Sequence, residues 1–190
     1  MKETYFQKLN GIFSKLECKS HTGQALSFDK AIELVIQRIM RLKREGNKVF
    51  LIGNGGSASI ASHVSIDLLK NAHVRSLTFN DASLLTCISN DLGFESVFET
   101  PIRLLSEAGD ILFSISSSGR SKNILKATGK ARHRGLWVVT FSGFSKNNPL
   151  RKLGDINFYV PSSSYGFVEI THQVICHCIT DQLMLNNRRG

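Results

Sequence analysis

Apolar residues along the chain recur with two different periods. Near the start, Tyr5, Phe6, Leu9, Ile12, Phe13 and Leu16 fall at helical spacing with polar residues between them. A second stripe of Ile32, Val35, Ile36, Ile39 and Met40 predicts a helix over 29–44, and Gly46 stands where a helix C-terminal cap belongs. From residue 49 the pattern changes to short continuous apolar runs at 49–52, 76–79, 111–115, 137–141 and 156–160. A strand covered on both faces has no reason to alternate with polar residues, so these runs predict buried strands. Helical segments at about 57–70, 82–90, 95–107, 121–134 and 148–153 separate them, and a final helix is expected over 166–186.

Strands alternating with helices predict an α/β fold, a parallel sheet with helices on both faces. The 190 residues contain only three prolines and no Pro/Gly-rich linker, which predicts a single domain over 1–190. The helices within 1–45 precede the first strand. Their stripes need a partner surface, either at a subunit interface or on the same domain.

Composition narrows the setting. No apolar run reaches the roughly 18–20 residues that span a bilayer. The opening MKETYFQKLNGIF mixes charges with apolar residues, unlike a signal peptide. Cys18, Cys87, Cys176 and Cys178 are too few and too irregular for a disulfide framework, so the expectation is a reduced, cytoplasmic protein. The net charge of +9 fits either nucleic acid or a small anionic substrate. Its clusters are Arg41, Lys43 and Arg44; Lys130, Arg132 and Arg134; Arg151 and Lys152; and Arg188 and Arg189. The first two lie at expected helix C-termini, where cations complement the dipole. No zinc-finger spacing or RNA-binding aromatic signature accompanies the charge, which argues against nucleic acid and leaves the small anion.

Candidate chemistry sits in two strand-to-helix loops. Gly53-Asn54-Gly55-Gly56-Ser57-Ala58-Ser59 follows one strand and opens a helix. Glycines let the backbone approach a ligand, and a helix N-terminus offers unpaired N–H groups to an anion. The loop has neither the third glycine of the dinucleotide fingerprint nor the Lys of a P-loop. The second loop carries Ser116, Ser117, Ser118 and Ser121 before a helix that Ser121 is placed to cap. In open parallel sheets ligands bind beyond the carboxyl ends of strands, where two such loops can face each other.

The segments GNGGSASIASH and SISSSGRSKNIL, with Asn90-Asp91-Leu92-Gly93-Phe94 and the C-terminal helix, closely resemble bacterial phosphoheptose isomerases of the sugar isomerase (SIS) type. These enzymes interconvert sedoheptulose 7-phosphate and a manno-heptose 7-phosphate. The resemblance implies a flavodoxin-like sheet, a homotetramer with active sites at subunit interfaces, and no organic cofactor. It places the sugar phosphate on Asn54, Gly55, Gly56 and Ser57, on Asn90 and Asp91, and on Ser116, Ser117, Ser118 and Ser121.

The same likeness selects the catalytic candidates. His63 and Asp67, four residues apart, share a helix face. Family members carry His-x-x-x-Glu there, the Glu acting as general acid/base and in some members ligating zinc. The last helix holds Glu169, His172, Gln173 and His177; His177 matches the second catalytic base, and Glu169 falls where the family has Gln. Asp67 and His177 are thus the expected catalytic pair. His63, Asp67, Glu169 and His177 form a candidate zinc set, although Glu169 and His177 are separated by about 12 Å of helical rise. A shorter carboxylate at 67 and a charge at 169 keep a second reading open: a sugar-phosphate-binding regulator without isomerase activity, as in SIS proteins that associate with a replication initiator.

Overall fold

The computed structural model describes residues 4–187; Arg188 and Arg189 lie outside them. Helix α1 (Tyr5–Phe13) opens on a capping box in which Thr4 and Gln7 exchange side-chain-to-backbone hydrogen bonds. A hairpin of β1 (Glu17–Ser20) and β2 (Ala25–Leu26) follows, then α2 (Phe28–Glu45), which ends on Gly46 in the left-handed region at φ 75°. Strand β3 (Val49–Gly53) leads into α3 (Gly56–Ile66), whose last part unwinds to a π-helical turn at Asp67–Asn71. Next come β4 (Ser76–Thr78), α4 (Ala82–Leu92), a 3-10 turn at Phe94–Ser96 and α5 (Glu99–Leu105). The chain finishes with β5 (Ile111–Ser116), α6 (Lys122–His133), β6 (Trp137–Ser142), a 3-10 turn at Pro149–Lys152, β7 (Ile156–Tyr159) and α7 (Tyr165–Asn187).

All strands join one sheet in the order β2-β1-β7-β6-β5-β3-β4. The five from β3 onward are mutually parallel and follow the flavodoxin-like order. The reversal of strand order that marks a switch point falls between β3 and β5, which pair in parallel from Val49↔Ile111 to Gly53↔Ile115. Both candidate loops leave from these two adjacent strands.

Strand residues alternate between two buried faces, which explains why their sequence does not alternate. Val49, Leu51, Ile111, Phe113 and Ile115 pack with α2, α3 and α7, whereas Phe50, Ile52 and Leu112 pack with α5 and α6. Helix α2 buries Ala31, Ile32, Val35, Ile36, Ile39 and Leu42 within the domain, so its stripe needs no second subunit. Helix α1 buries nothing; the Tyr5 ring lies 4.5 Å from that of Phe167, tilted at 34°, and Phe6 is exposed.

Three features depart from expectation. The β1–β2 hairpin adds two antiparallel strands at the β7 edge, a segment too short and polar for its pairing to be read from sequence. The helix expected over 95–107 is a 3-10 turn and a shorter α5, because Pro101 lacks the N–H that would continue the ladder from the preceding turn. The 148–153 segment is likewise 3-10, with Pro149 at its first position. Among the described residues, no helix is long and apolar enough to cross a membrane.

Candidate active site

Gly55 takes φ 53°, turning the chain from β3 into α3, and the Ser57 and Ala58 N–H groups of the first turn bond back to the Asn54 and Gly55 carbonyls. Gly53 cannot carry a side chain there, since a Cβ would strike the backbone of Ser57. The second loop is braced from behind. The Asn148 amide donates to the Ser142 hydroxyl and to the carbonyls of Gly143 and Ser145. Asn148 lies so close under Gly119 that only glycine fits, at φ 61°.

Asn54, Gly55, Gly56, Ser57, Ser116, Ser117, Ser118, Ser121 and Glu169 line one cavity of about 220 Å³, together with Tyr165. Nine residues singled out from the sequence thus meet in one place. Ser117 Oγ is buried with no hydrogen-bond partner, an unmet donor inside a cradle of helix N–H groups. Ser121 stands at the N-cap of α6 without capping it; its hydroxyl faces Ser116 Oγ at 3.4 Å. Asn90 and Asp91 do not line this cavity. They sit exposed near the end of α4, where Asp91 accepts hydrogen bonds from the Asn90 amide and the Cys87 thiol.

Glu169 lies in the cradle. A Cβ built on Gly56 would fall 2.5–2.6 Å from its carboxylate atoms, so the acid occupies space at the N-terminus of α3 that any other residue at 56 would fill. The helix dipole favours an anion at this spot. Within one chain Glu169 therefore stands with the phosphate-type residues and outside the metal-type cluster, contrary to the four-ligand expectation.

The second centre lies further along the same two helices. Asp67 Oδ2 faces His63 Nε2 at 3.2 Å and His177 Nδ1 at 3.7 Å, while Oδ1 accepts from Asn71 Nδ2 at 3.1 Å. The two imidazoles meet edge to face at 5.2 Å. Ligand atoms of His63, Asp67 and His177 all lie within 4.8 Å of one another. Two imidazole nitrogens and a carboxylate oxygen are the donor set a catalytic zinc takes, with a fourth position left for water or substrate. The π turn begins at Asp67 itself, and such turns re-aim side chains at functional positions.

His172, one of the helix candidates, has a different role. It is fully buried, and its Nε2 donates to the Ser142 carbonyl at 3.3 Å. Burial pushes its pKa down to about 4, against a smaller opposing effect of that hydrogen bond, so it is a neutral core imidazole. Cys176 is buried; neither it nor Cys178 joins the metal-type cluster. Asn123, missed in the sequence, exchanges amide hydrogen bonds with Asn54; the signal available was a lone Asn in the first turn of a helix beside the cradle. Asn71 and Tyr165 were missed as well, because a π turn and a helix entry angle have no sequence period.

The chain matches the SIS domain family over residues 4–143. A phosphoheptose isomerase of Shewanella frigidimarina is 33% identical over 178 residues, covering 88% of each chain. The structure of a phosphoheptose isomerase from Francisella tularensis superposes with a TM-score of 0.82 at 26% identity, over 94% of both chains. That of a phosphoheptose isomerase from Neisseria gonorrhoeae gives 0.81 over 94% of this chain and 95% of that one; at 24% identity it shows the fold alone.

Proposed function

The chain belongs to the SIS domain family, and from that premise we propose that it is a phosphoheptose isomerase. It interconverts sedoheptulose 7-phosphate and D-glycero-D-manno-heptose 7-phosphate through an enediol. One observation carries this reading: an anion cradle and an acid/base pair lie on the same two helices, separated along α7 by the eight residues from Glu169 to His177. That interval is about 12 Å of helical rise, comparable to a seven-carbon sugar from its terminal phosphate to its carbonyl end.

In the proposed mechanism the α3 N-terminus and the serine hydroxyls hold the phosphate, and this remote binding positions the reacting carbons. One member of the Asp67–His177 pair removes the proton from C1 of the ketose while O2 gains a proton, giving the enediol. Loss of the O1 proton and protonation of C2 then give the aldose, with no net change in protons. Asp67, shared between two imidazoles, keeps His177 oriented toward the substrate. His63, Asp67 and His177 would hold a zinc ion, which when bound supplies Lewis-acid polarisation of the substrate oxygens. Zinc content after chelator-free purification tests this independently of turnover: about one per subunit in the native protein, and loss in His63→Ala. A metal-free native protein would sink it.

We further propose a cytoplasmic homotetramer with sites completed across subunits, serving synthesis of an activated heptose for lipopolysaccharide or capsule. Exposed Ile66, Leu69, Ile170 and Val174 on the site's own helices support an interface there. So does the exposure of Asn90 and Asp91 outside their own chain's cavity. A regulator without catalysis is not favoured, because the isomerase relatives and the intact Asp67–His177 pair both argue for chemistry.

The direct test incubates the protein with sedoheptulose 7-phosphate and follows the aldose by NMR, with and without zinc. Product formed by the native chain and abolished in His177→Ala is the expected result. Saturable binding without turnover would overturn the isomerase reading.

A further inference from the structure

The serine-and-glycine cradle has one aromatic wall, Tyr165, the first residue of α7. Its ring is 62% exposed, so it stands at the mouth of the cavity and not in its floor. Among the described residues none accepts a hydrogen bond from its hydroxyl. Glu169 follows four residues later, one helical turn along the same face of α7. A carboxylate in the wall repels an incoming anion, and a neutral hydroxyl beside it adds a hydrogen bond without adding charge.

Phe144 holds that ring edge to face, with centroids 4.8 Å apart and planes at 72°. It does so from a backbone conformation that a bulky residue rarely adopts, φ 55°. Such strain persists only where the surroundings over-determine it. Here they do. The Phe144 N–H donates to the Ser162 carbonyl at 2.8 Å, and the hydroxyl of buried Tyr159 donates to the Phe144 carbonyl at 2.9 Å. One residue earlier, the Gly143 N–H donates to the Ser117 carbonyl at 2.9 Å. A Cβ on Gly143 would come within 2.8 Å of the Val168 side chain, so the exit of β6 packs directly on the first turn of α7. Phe144 is thus tied to the serine loop on one side and to Tyr165 on the other. Glycine would take this φ without strain, and what the strained Phe supplies in its place is the ring.

We propose that Tyr165 is a further phosphate-binding residue, which closes the mouth of the cradle and donates its hydroxyl to a phosphate oxygen. Phe144 is the positioning residue that holds it there. This role rests on the reading of the cavity as the phosphate end of the sugar-phosphate site.

The probe is inorganic phosphate, titrated by calorimetry into the full chain, with sedoheptulose 7-phosphate kinetics measured beside it. Tyr165→Phe removes only the donor and is expected to weaken phosphate about tenfold. KM for the sugar phosphate rises by a similar factor, with kcat within about twofold of native. Phe144→Gly is expected to weaken phosphate about three- to fivefold, and Phe144→Tyr, which keeps the ring, to stay within about twofold of native. Because Phe144 acts through Tyr165, Phe144→Gly costs nothing further when combined with Tyr165→Ala. A merely structural Phe144 would lower the melting temperature and leave phosphate affinity unmoved. Unchanged affinity in Tyr165→Phe, or additive losses in the double variant, would overturn this role while the isomerase reading stood. A native chain that binds no phosphate would overturn both. Phosphate binding with the expected losses but no sugar turnover would sink the isomerase reading and support Tyr165.

Discussion

Asn54 and Asn123 hold each other across the mouth of the cradle, each Nδ2 donating to the other's Oδ1, at 3.0 and 2.8 Å. The pair ties the loop after β3 to the first turn of α6, so two segments 69 residues apart move as one. Asn123→Ala frees the Asn54 amide and leaves its polar atoms to find water. KM for the sugar phosphate is expected to rise about tenfold with a smaller change in kcat, and stability to fall by about 1–2 kcal/mol. Asn123→Asp keeps one of the two bonds and is expected to fall between Ala and the native protein. Steady-state kinetics on the three proteins separate this positioning role from a purely structural one, which would leave KM unmoved.

Asp67 is the point at which both imidazoles converge. Asp67→Asn keeps the shape but cannot carry the proton, and kcat is expected to fall by about 100-fold or more. Asp67→Glu adds a methylene to a carboxylate that already lies 3.2 Å from His63 and 3.7 Å from His177. Activity is therefore expected to drop about tenfold, not to rise. A gain in kcat for the Glu variant would mean that the Asp67 carboxylate is too short for the reacting atoms.

Glu169 shares its cavity with the residues expected to hold phosphate. Two anions in one small cradle repel, so Glu169→Gln is expected to tighten inorganic phosphate binding about three- to tenfold, measured by calorimetry. Gly56→Ala pushes a methyl group into that carboxylate and is expected to weaken phosphate binding, with partial recovery when combined with Glu169→Ala. No recovery would place the Gly56 requirement in the backbone alone.

His172 links stability to acid. Its folded pKa of about 4 lies below the ordinary value of 6.5, so between these values the unfolded chain binds more protons than the folded one. Its effect is absent above pH 6.5, and stability drops as pH falls toward 4, by up to about 3 kcal/mol. Denaturant melts of His172→Phe against the native chain from pH 7 to pH 4 are expected to show a shallower pH slope in the variant, whatever its stability at neutral pH. Equal slopes would rule out His172 as the source.

The sequence by itself determined the parallel strands, because a strand buried on both faces must be apolar throughout, and 49–52 and 111–115 admit little else. It also determined the two loops, since glycines and serines between strand and helix carry their chemistry locally. His63 and Asp67 were legible as a pair because helical periodicity sets neighbours four residues apart. Contacts between distant segments were another matter. That Glu169 reaches Gly56 while His177 reaches Asp67 depends on how α7 lies along α3, which packing of Ile60, Val64, Ile175 and Ile179 over the sheet decides. The Asn54–Asn123 pair and the β1–β2 edge depend likewise on strand order and helix docking. Neither follows from any local period, because each is settled by which apolar faces the whole chain can bury at once.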